Sequence, residues 1–261
     1  SEMSRDEPRF NVSAELDKVG VETAAGRPGV RGFSGRLRAN RAGGRLEIES
    51  KDFELLAPEY FPENMVFDSA DGTIIWRNSE DQVTVLSDSI VLESVFFRSE
   101  SNIQLVLNND GSSPEIDLAS SWSISDVARA KRYIPTKGLK PKFYDWLQTA
   151  LVSGSIPRGT MTLSGPLDKF PFDDGEGRLL IEASVRNMLL KYHAAWPAAE
   201  ETNLEFVIDN TRLYSNENRS VNAGNLVVNA QVDIPDLRDP IFTIKSLSTG
   251  TLAGFHAFSS N

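Results

Sequence analysis

The sequence predicts an all-β fold with a small helical insert, built on a long and mainly antiparallel sheet. Three observations predict it. Apolar residues recur at every second position through most of the 261 residues, which is the side-chain period of a strand buried on one face. Turn chemistry punctuates those runs at Gly43-Gly44, Asp71-Gly72, Asn109-Asp110-Gly111 and Ala223-Gly224, where Gly or Asn supplies positive φ. A single stretch, from Ser125 to Ser153, changes to a helical period.

Taken in order, the alternation places Leu46 and Ile48 on one face of an early strand, then Val83 with Val85, and then Ile103, Leu105 and Leu107. Ile116 and Leu118 follow. The second half repeats the style with Met161 and Leu163, with Leu179, Ile181, Ala183 and Val185, and with Leu204, Phe206 and Ile208. Leu226, Val228, Ala230 and Val232 come next, and a last run covers 241–245. The pattern amounts to roughly twelve to fifteen strands.

Within the insert, Ser125 or Asp126 can cap a short helix that Pro135 ends near Tyr133. Pro141 suits the first turn of a second helix and Gly154 its stop. Phe143, Trp146, Leu147, Ala150 and Leu151 form an apolar stripe at helical spacing on that second helix, which reads either as a cap or as a gate. Arg129, Lys131, Arg132, Lys137, Lys140 and Lys142 make the insert the one basic island of the chain. A weak repeat links Ala57-Pro58-Glu59-Tyr60-Phe61-Pro62 with Ala195-Trp196-Pro197, each a Pro/aromatic corner leading into a strand; chance similarity between hairpins is its rival.

Composition excludes several functions. A compact chain of this length hides about 70–75% of its unfolded surface, so a core is possible. Lys+Arg 27 against Asp+Glu 37 gives a net charge of −10, which disfavours nucleic acid and broad docking on an anionic bilayer. With no cysteine there are no disulfides, thiol nucleophiles or Cys-based zinc sites. Two histidines, His193 and His256, are too few for a His-rich metal centre. No run of about 18 apolar residues and no signal peptide occurs. The opening Ser1-Glu2-Met3 and the abrupt end at Asn261 read as marks of a piece of a longer protein.

Catalytic motifs are missing as well. Asp173-Asp174-Gly175-Glu176 lacks the order of an EF-hand loop and reads as a solvated turn. His193 beside Tyr192 and Trp196 reads as a packed or surface histidine. G-x-S-x-G, Walker and dinucleotide fingerprints are absent. A glycosidase would need two carboxylates facing each other across a cleft, and the sequence places no such pair. The chain reads as a non-enzyme without cofactor or metal.

What remains is apolar surface. About 25 helical residues cannot cover so many strands, so the sheet either closes on itself or curls into a trough whose inner face stays apolar. Fourteen strands at about 4.8 Å would extend ~65 Å. Pattern alone leaves the closed sandwich and the open trough both standing.

The stretch from Ala128 to Phe172 adds a resemblance. Ala130, Tyr133, Ile134 and Pro135, then Trp146-Leu147 with Ala150-Leu151 and Gly154, then Gly159, Gly165-Pro166-Leu167 and Phe170-Pro171-Phe172, form an ordered set. Gly175, Gly177 and the Trp196-Pro197 corner extend it. The set resembles the central region of the AsmA-like superfamily, in its YhdP-type branch of Gram-negative envelopes. That resemblance implies a long curved β-groove related to bridge-like lipid-transfer proteins. It implies the periplasmic portion of an inner-membrane-anchored protein passing phospholipid toward the outer membrane, with contact to both membranes made by parts outside this chain. It carries over no catalytic residue.

On this expectation 1–124 and 155–261 are two groove units flanking a helical insert at 125–154. The groove floor consists of Leu46, Ile48, Val83, Val85, Ile103, Leu105, Leu107, Met161, Leu163, Ile181, Ala183, Leu204, Phe206, Ile208, Leu226 and Val228. The alternative is a non-catalytic structural or partner-binding β-scaffold of the envelope with a closed core.

Overall fold

The structure is a computed structural model that describes residues 10–24, 27–137 and 139–259, with side chains through 256. The chain-end features at 1–3 and 260–261 lie outside the described residues. Thirteen strands form one sheet in strict sequence order, every neighbouring pair antiparallel. They are β1 (Asn11–Val21), β2 (Gly29–Asn40), β3 (Gly43–Leu56), β4 (Met65–Asn78), β5 (Gln82–Ser94), β6 (Phe97–Asn108) and β7 (Glu115–Ile124). After the helical insert come β8 (Leu151–Pro166), β9 (Arg178–Leu190), β10 (Ala199–Asp209), β11 (Arg212–Asn222), β12 (Asn225–Ile234) and β13 (Thr243–Thr249).

The sheet does not close: β1 and β13 are edges, and strands pack substantially only on their sequence neighbours. Its accessible surface is 16063 Å², against about 11,300 Å² for a compact globule of this mass. With one sheet whose strands pack substantially only on their sequence neighbours, that excess fits an open sheet and not a two-layer sandwich. Twelve inter-strand steps give the sheet a width of ~58 Å.

Cross-strand partners share a face, so the pairing can be followed across the sheet. The row Ser50, Ala70, Leu92, Ser99, Trp122, Gly159, Ala183, Phe206, Ser215, Val232, Ile244 lies on one face, here the inner one. Its alternate positions carry the charges.

In most strands the alternation changes phase once. Leu16 and Val19, Ser50 and Phe53, Val185 and Met188, and Ser215 and Asn218 lie on the same inner face although each pair is three residues apart. The slips carry the mark of bulges, with positive φ at Lys18 (48°), Asp52 (54°), Asn187 (49°), Glu201 (49°), Glu217 (57°) and Asn229 (51°). Gly32 (φ 71°) holds the same place in β2, where a Cβ would come within 2.4 Å of the Asp52 carbonyl. The bulges thus line up as a seam running across the strands.

A bulge leaves ladder groups without partners, and side chains take their place. Ser34 Oγ accepts from Lys18 N (3.0 Å), Ser50 Oγ accepts from Ser34 N (2.9 Å), and Asn203 Oδ1 accepts from Asn187 N (3.2 Å). Each bulge bends its strand and raises its twist, so the seam divides the inner face into two arms. The first arm ends at the turns 41–42, 79–81 and 210–211. The second ends at the connections 57–64, 95–96 and 191–198. Both Pro/aromatic corners of the weak repeat sit at second-arm ends, between β3 and β4 and between β9 and β10.

Asp71-Gly72 is not a turn. It lies within β4, where Gly72 (φ 154°) faces the phase slip of β5, and a Cβ there would meet Ser89 O at 2.4 Å. Glycine is used here for close approach between backbones.

The insert contains α1 (Val127–Ala130), a 3₁₀ turn at Lys131–Tyr133 and α2 (Pro141–Ala150). Asp126 is the N-cap, its Oδ1 accepting from Arg129 N at 3.2 Å. The second helix ends four residues before Gly154. Leu151 takes extended geometry (φ −84°, ψ 92°) and opens β8 opposite Leu190, so it belongs to the sheet and not to the helical stripe. The physical reason is that Lys131 Nζ donates to Gln148 O and to Leu151 O (3.0 Å), closing the helix end without glycine. Gly154 instead packs against Met188, where a Cβ would approach within 2.8 Å. A third helix, α3 (Leu252–Ser259), follows β13.

Candidate functional site

The inner face of the first arm is a half-buried apolar surface, covered only beside the seam, where Val127 of α1 joins the cluster of Ala183, Leu204 and Phe206. Leu46, Val83, Val85, Ile103, Leu105, Met161, Leu163, Ile181, Leu204, Phe206 and Ile208 are all partly exposed along it, and Leu107 is 36% exposed. Ile48 and Ala183 are buried at the seam. These residues share one face by register, and Val12, Leu16, Leu37, Ile74, Ile116, Leu118, Leu179, Leu213 and Val232 extend the same surface.

Leu226 and Val228 are on the other face. Val228 pairs with exposed Leu247 and Leu226 with Val221, because the Asn229 bulge shifts the phase and turns Val227 inward. An unbroken period of two across Asn229 puts both residues on the wrong side.

Near the seam the inner positions are small: Gly35, Ser50, Ala70, Ser87, Ser99, Ser101, Ser120, Gly159 and Ala183. Side chains converge on the inside of a bend, so large ones cannot pack there. Two glycines make room for indoles, Gly159 beside the seam and Gly44 at the first-arm end next to the 41–42 turn. A Cβ on Gly159 would sit 2.3 Å from the Trp122 ring, and one on Gly44 would sit 2.2 Å from Trp76. Ser101 Oγ donates to Ser120 Oγ at 2.9 Å, whereas the buried Ser87 Oγ has no partner.

The second arm differs along its length. Between β3 and β6 it holds Phe53, Phe67 and Phe97, whose rings lie 6.2 and 6.0 Å apart in succession. Between β10 and β12 it holds Thr202, Asn218, Ser220, Asn222 and Asn225, most of them buried. Asn222 Nδ2 donates to Tyr192 Oη at 2.9 Å. Burial pushes the Tyr192 phenol pKa up, partly offset by that bond.

The outer face is a lattice of ion pairs. Arg36 meets Glu47 (3.1 Å) and Glu49 (2.9 Å), Arg178 meets Asp209 (2.8 Å), and Arg212 meets Asp233 (2.8 Å). The hydrogen bond from Arg178 holds Asp209 below the usual carboxylate range. At Glu205, partial burial pushes the pKa up, but bonds from Ser184 and Arg186 outweigh it and the net shift is downward.

The helix α2 joins the two arms' ends. Trp146 Nε1 donates to Tyr192 O (2.9 Å) and Lys191 N donates to Ala150 O (2.9 Å), both just past the second-arm end of β9. Toward the first-arm end of β12 and β13, Lys140 Nζ reaches Asp239 (2.6 Å), and the Phe143 and Trp146 rings lie 6.3 and 5.1 Å from Phe242. Arg238 then ties this loop to Asp173 at 2.9 Å, and both Asp236 and Asp173 push its pKa up. Phe143 is buried and Leu147 half-buried. The helix therefore acts as a strap, and between it and the 239–242 segment lies a cleft of ≈440 Å³.

Most of the basic island is consumed locally. Lys131 caps α2, Arg132 meets Glu63 (3.6 Å), Lys137 meets Glu59 (3.9 Å) and Tyr60, and Arg129 lies over Phe96. Among the described residues no group of three or more His, Asp or Glu is placed to hold a metal ion. His193 packs on Trp196 at 4.8 Å, its Nδ1 accepting from Ala195 N.

An open antiparallel meander with an apolar inner face and a charged outer face defines a groove-type β-protein. A family model described as YhdP protein matches residues 2–261, and the chain belongs to that family. The membership places it among lipid-transport-related proteins of the cell envelope. Searches of curated proteins and of solved structures returned no match. Among the described residues no helix is long and apolar enough to cross a membrane.

Proposed function

We propose that the chain is a section of a periplasmic trough that carries phospholipid acyl chains between the inner and outer membranes. The observation that carries this reading is the apolar inner face of the first arm, which runs from strand to strand, is open away from the seam and is backed by a charged outer face. Each methylene moved from water onto such a surface gains about 0.8 kcal/mol when fully buried, while the headgroup can stay in water at the open mouth. The family membership supports the same reading. Nothing in it requires a catalytic group.

The test is native mass spectrometry of the purified chain, followed by lipid extraction. Phospholipid in defined stoichiometry is expected, and it should be lost in the Leu105→Asp/Phe206→Asp double variant with β-sheet circular dichroism retained. Unchanged lipid in that folded variant would overturn the trough. A lipid-free mass that persists after incubation with phospholipid would favour the envelope scaffold instead.

A further inference from the structure

The cleft under the strap has the chemistry of a second, more selective contact. Its walls are Phe143, Trp146, Pro240 and Phe242, and its charged groups are Lys140, Lys142 and Asp239. Its size falls in the ordinary range for small-molecule sites, about 300–1,000 Å³. Lys140 is engaged by Asp239 at 2.6 Å. Lys142 is exposed and makes no ion pair or hydrogen bond among the described residues. In a chain of net charge −10, an unpaired cation beside three clustered aromatic rings favours an amphiphilic anion over a purely apolar or purely ionic ligand.

We infer that this cleft holds the phosphate end of a phospholipid, with the phosphate on Lys142 and the first acyl methylenes on the Phe143–Trp146–Phe242 rings. The inference rests on the trough reading and adds a docking point to it. Trp146 is the hinge of the geometry. Its ring lines the cleft while its Nε1 is anchored to Tyr192 O, just past the second-arm end of β9. A lipid seated here has its charged end at the strap and its chains directed beneath it. The rest of the basic island, being paired or stacked, does not compete for the phosphate.

The experiment titrates the 261-residue chain with dihexanoyl-phosphatidylglycerol below its micelle concentration. It reads the Trp146 contribution to fluorescence, obtained by difference from Trp146→Phe. Saturable binding is expected, weakened about fivefold in Lys142→Gln, the size of one cation–phosphate contact, and further in Lys142→Glu. Lys51→Gln, on the outer face, should bind as the parent does. Dihexanoylglycerol, which lacks the phosphate, should not distinguish the Lys142 variants from the parent.

Equal affinity of Lys142→Gln and Lys142→Glu for the probe overturns the inference, and so does inorganic phosphate binding as tightly as the lipid. A parent chain whose Trp146 signal ignores the probe also overturns it, even where long-chain lipid copurifies and the trough stands. A cleft signal that persists in Leu105→Asp/Phe206→Asp supports the cleft; should that variant also keep its long-chain lipid, the trough alone is overturned.

Discussion

The second arm between β3 and β6 and the same arm between β10 and β12 occupy equivalent places in one meander, yet they are built of opposite materials. The former packs Phe53, Phe67 and Phe97 into one aromatic cluster, the first pair stacked and the second tilted. The latter sets Thr202, Asn218, Ser220, Asn222 and Asn225 on the inner face, close to the strap. Strand order and antiparallel pairing are shared, so the difference is chiefly one of side chains on a common frame. It teaches that the frame is held by the ladder and its seam, and that the chemistry of the inner face can be changed without altering it.

Substitutions can break or sharpen that comparison. The largest effect is expected at Phe67, 1% exposed between two other rings: Phe67→Ala should cost about 3–5 kcal/mol through the cavity it leaves. Asn218→Ala should cost less, about 1–2 kcal/mol: its Nδ2 has no partner to lose, but its Oδ1 accepts from the buried Ser215 Oγ, which the change leaves unpaired. Urea midpoints at constant m-value measure both, and equal losses would erase the distinction between the regions.

Trp146→Ala comes next. It removes a hydrogen bond and two ring contacts at the strap, for a loss of about 2 kcal/mol. Tryptic cleavage after Lys137 and Lys142 should accelerate well before the sheet melts, whereas Lys140, followed by Pro141, resists trypsin. Cleavage that rises only with global unfolding would show that the strap is not a separable unit.

Acid provides a smaller lever. Asp209 and Glu205 have pKa values below the carboxylate range, so their contribution is complete above the unfolded values and is lost as pH falls through the folded ones. Stability to urea should therefore be level from about pH 5 to 8 and decline below about pH 4. Arg178→Gln with Arg186→Gln should flatten that decline, and an unchanged acid slope would remove these pairs from the account.

The smallest effect concerns the seam. Glu217 holds φ 57°, so Glu217→Gly should raise stability by up to about 1 kcal/mol and Glu217→Val should lower it by a similar amount or more, read as melting shifts.

The sheet was legible because the period of two is a property of each strand alone. The insert was legible through Asp126, Pro135 and Pro141, whose effects are local. The bulges were harder to see, since Lys18, Glu201 and Glu217 are not residues that favour positive φ. A signal was nevertheless present. Adjacent polar pairs such as Asp17-Lys18, Lys51-Asp52, Arg186-Asn187, Glu200-Glu201 and Asn216-Glu217 interrupt the alternation where the phase slips. At Asn229 only one polar residue marks the slip, and that is where Leu226 and Val228 change sides. The strap was beyond reach from sequence, because Phe242 and Asp239 are distant in the chain from Trp146 and Lys140.

Strict sequence order within the sheet has a consequence for growth. Because each strand contacts its sequence neighbours, an added hairpin needs no new partner elsewhere, and it lengthens the sheet by ~9.6 Å. Two strands at a time also return the chain to the same arm, so the connections that carry the strap stay on their own side. Such a sheet behaves as a ruler whose length is set by counting hairpins, with stability accumulating unit by unit as it does in repeat proteins.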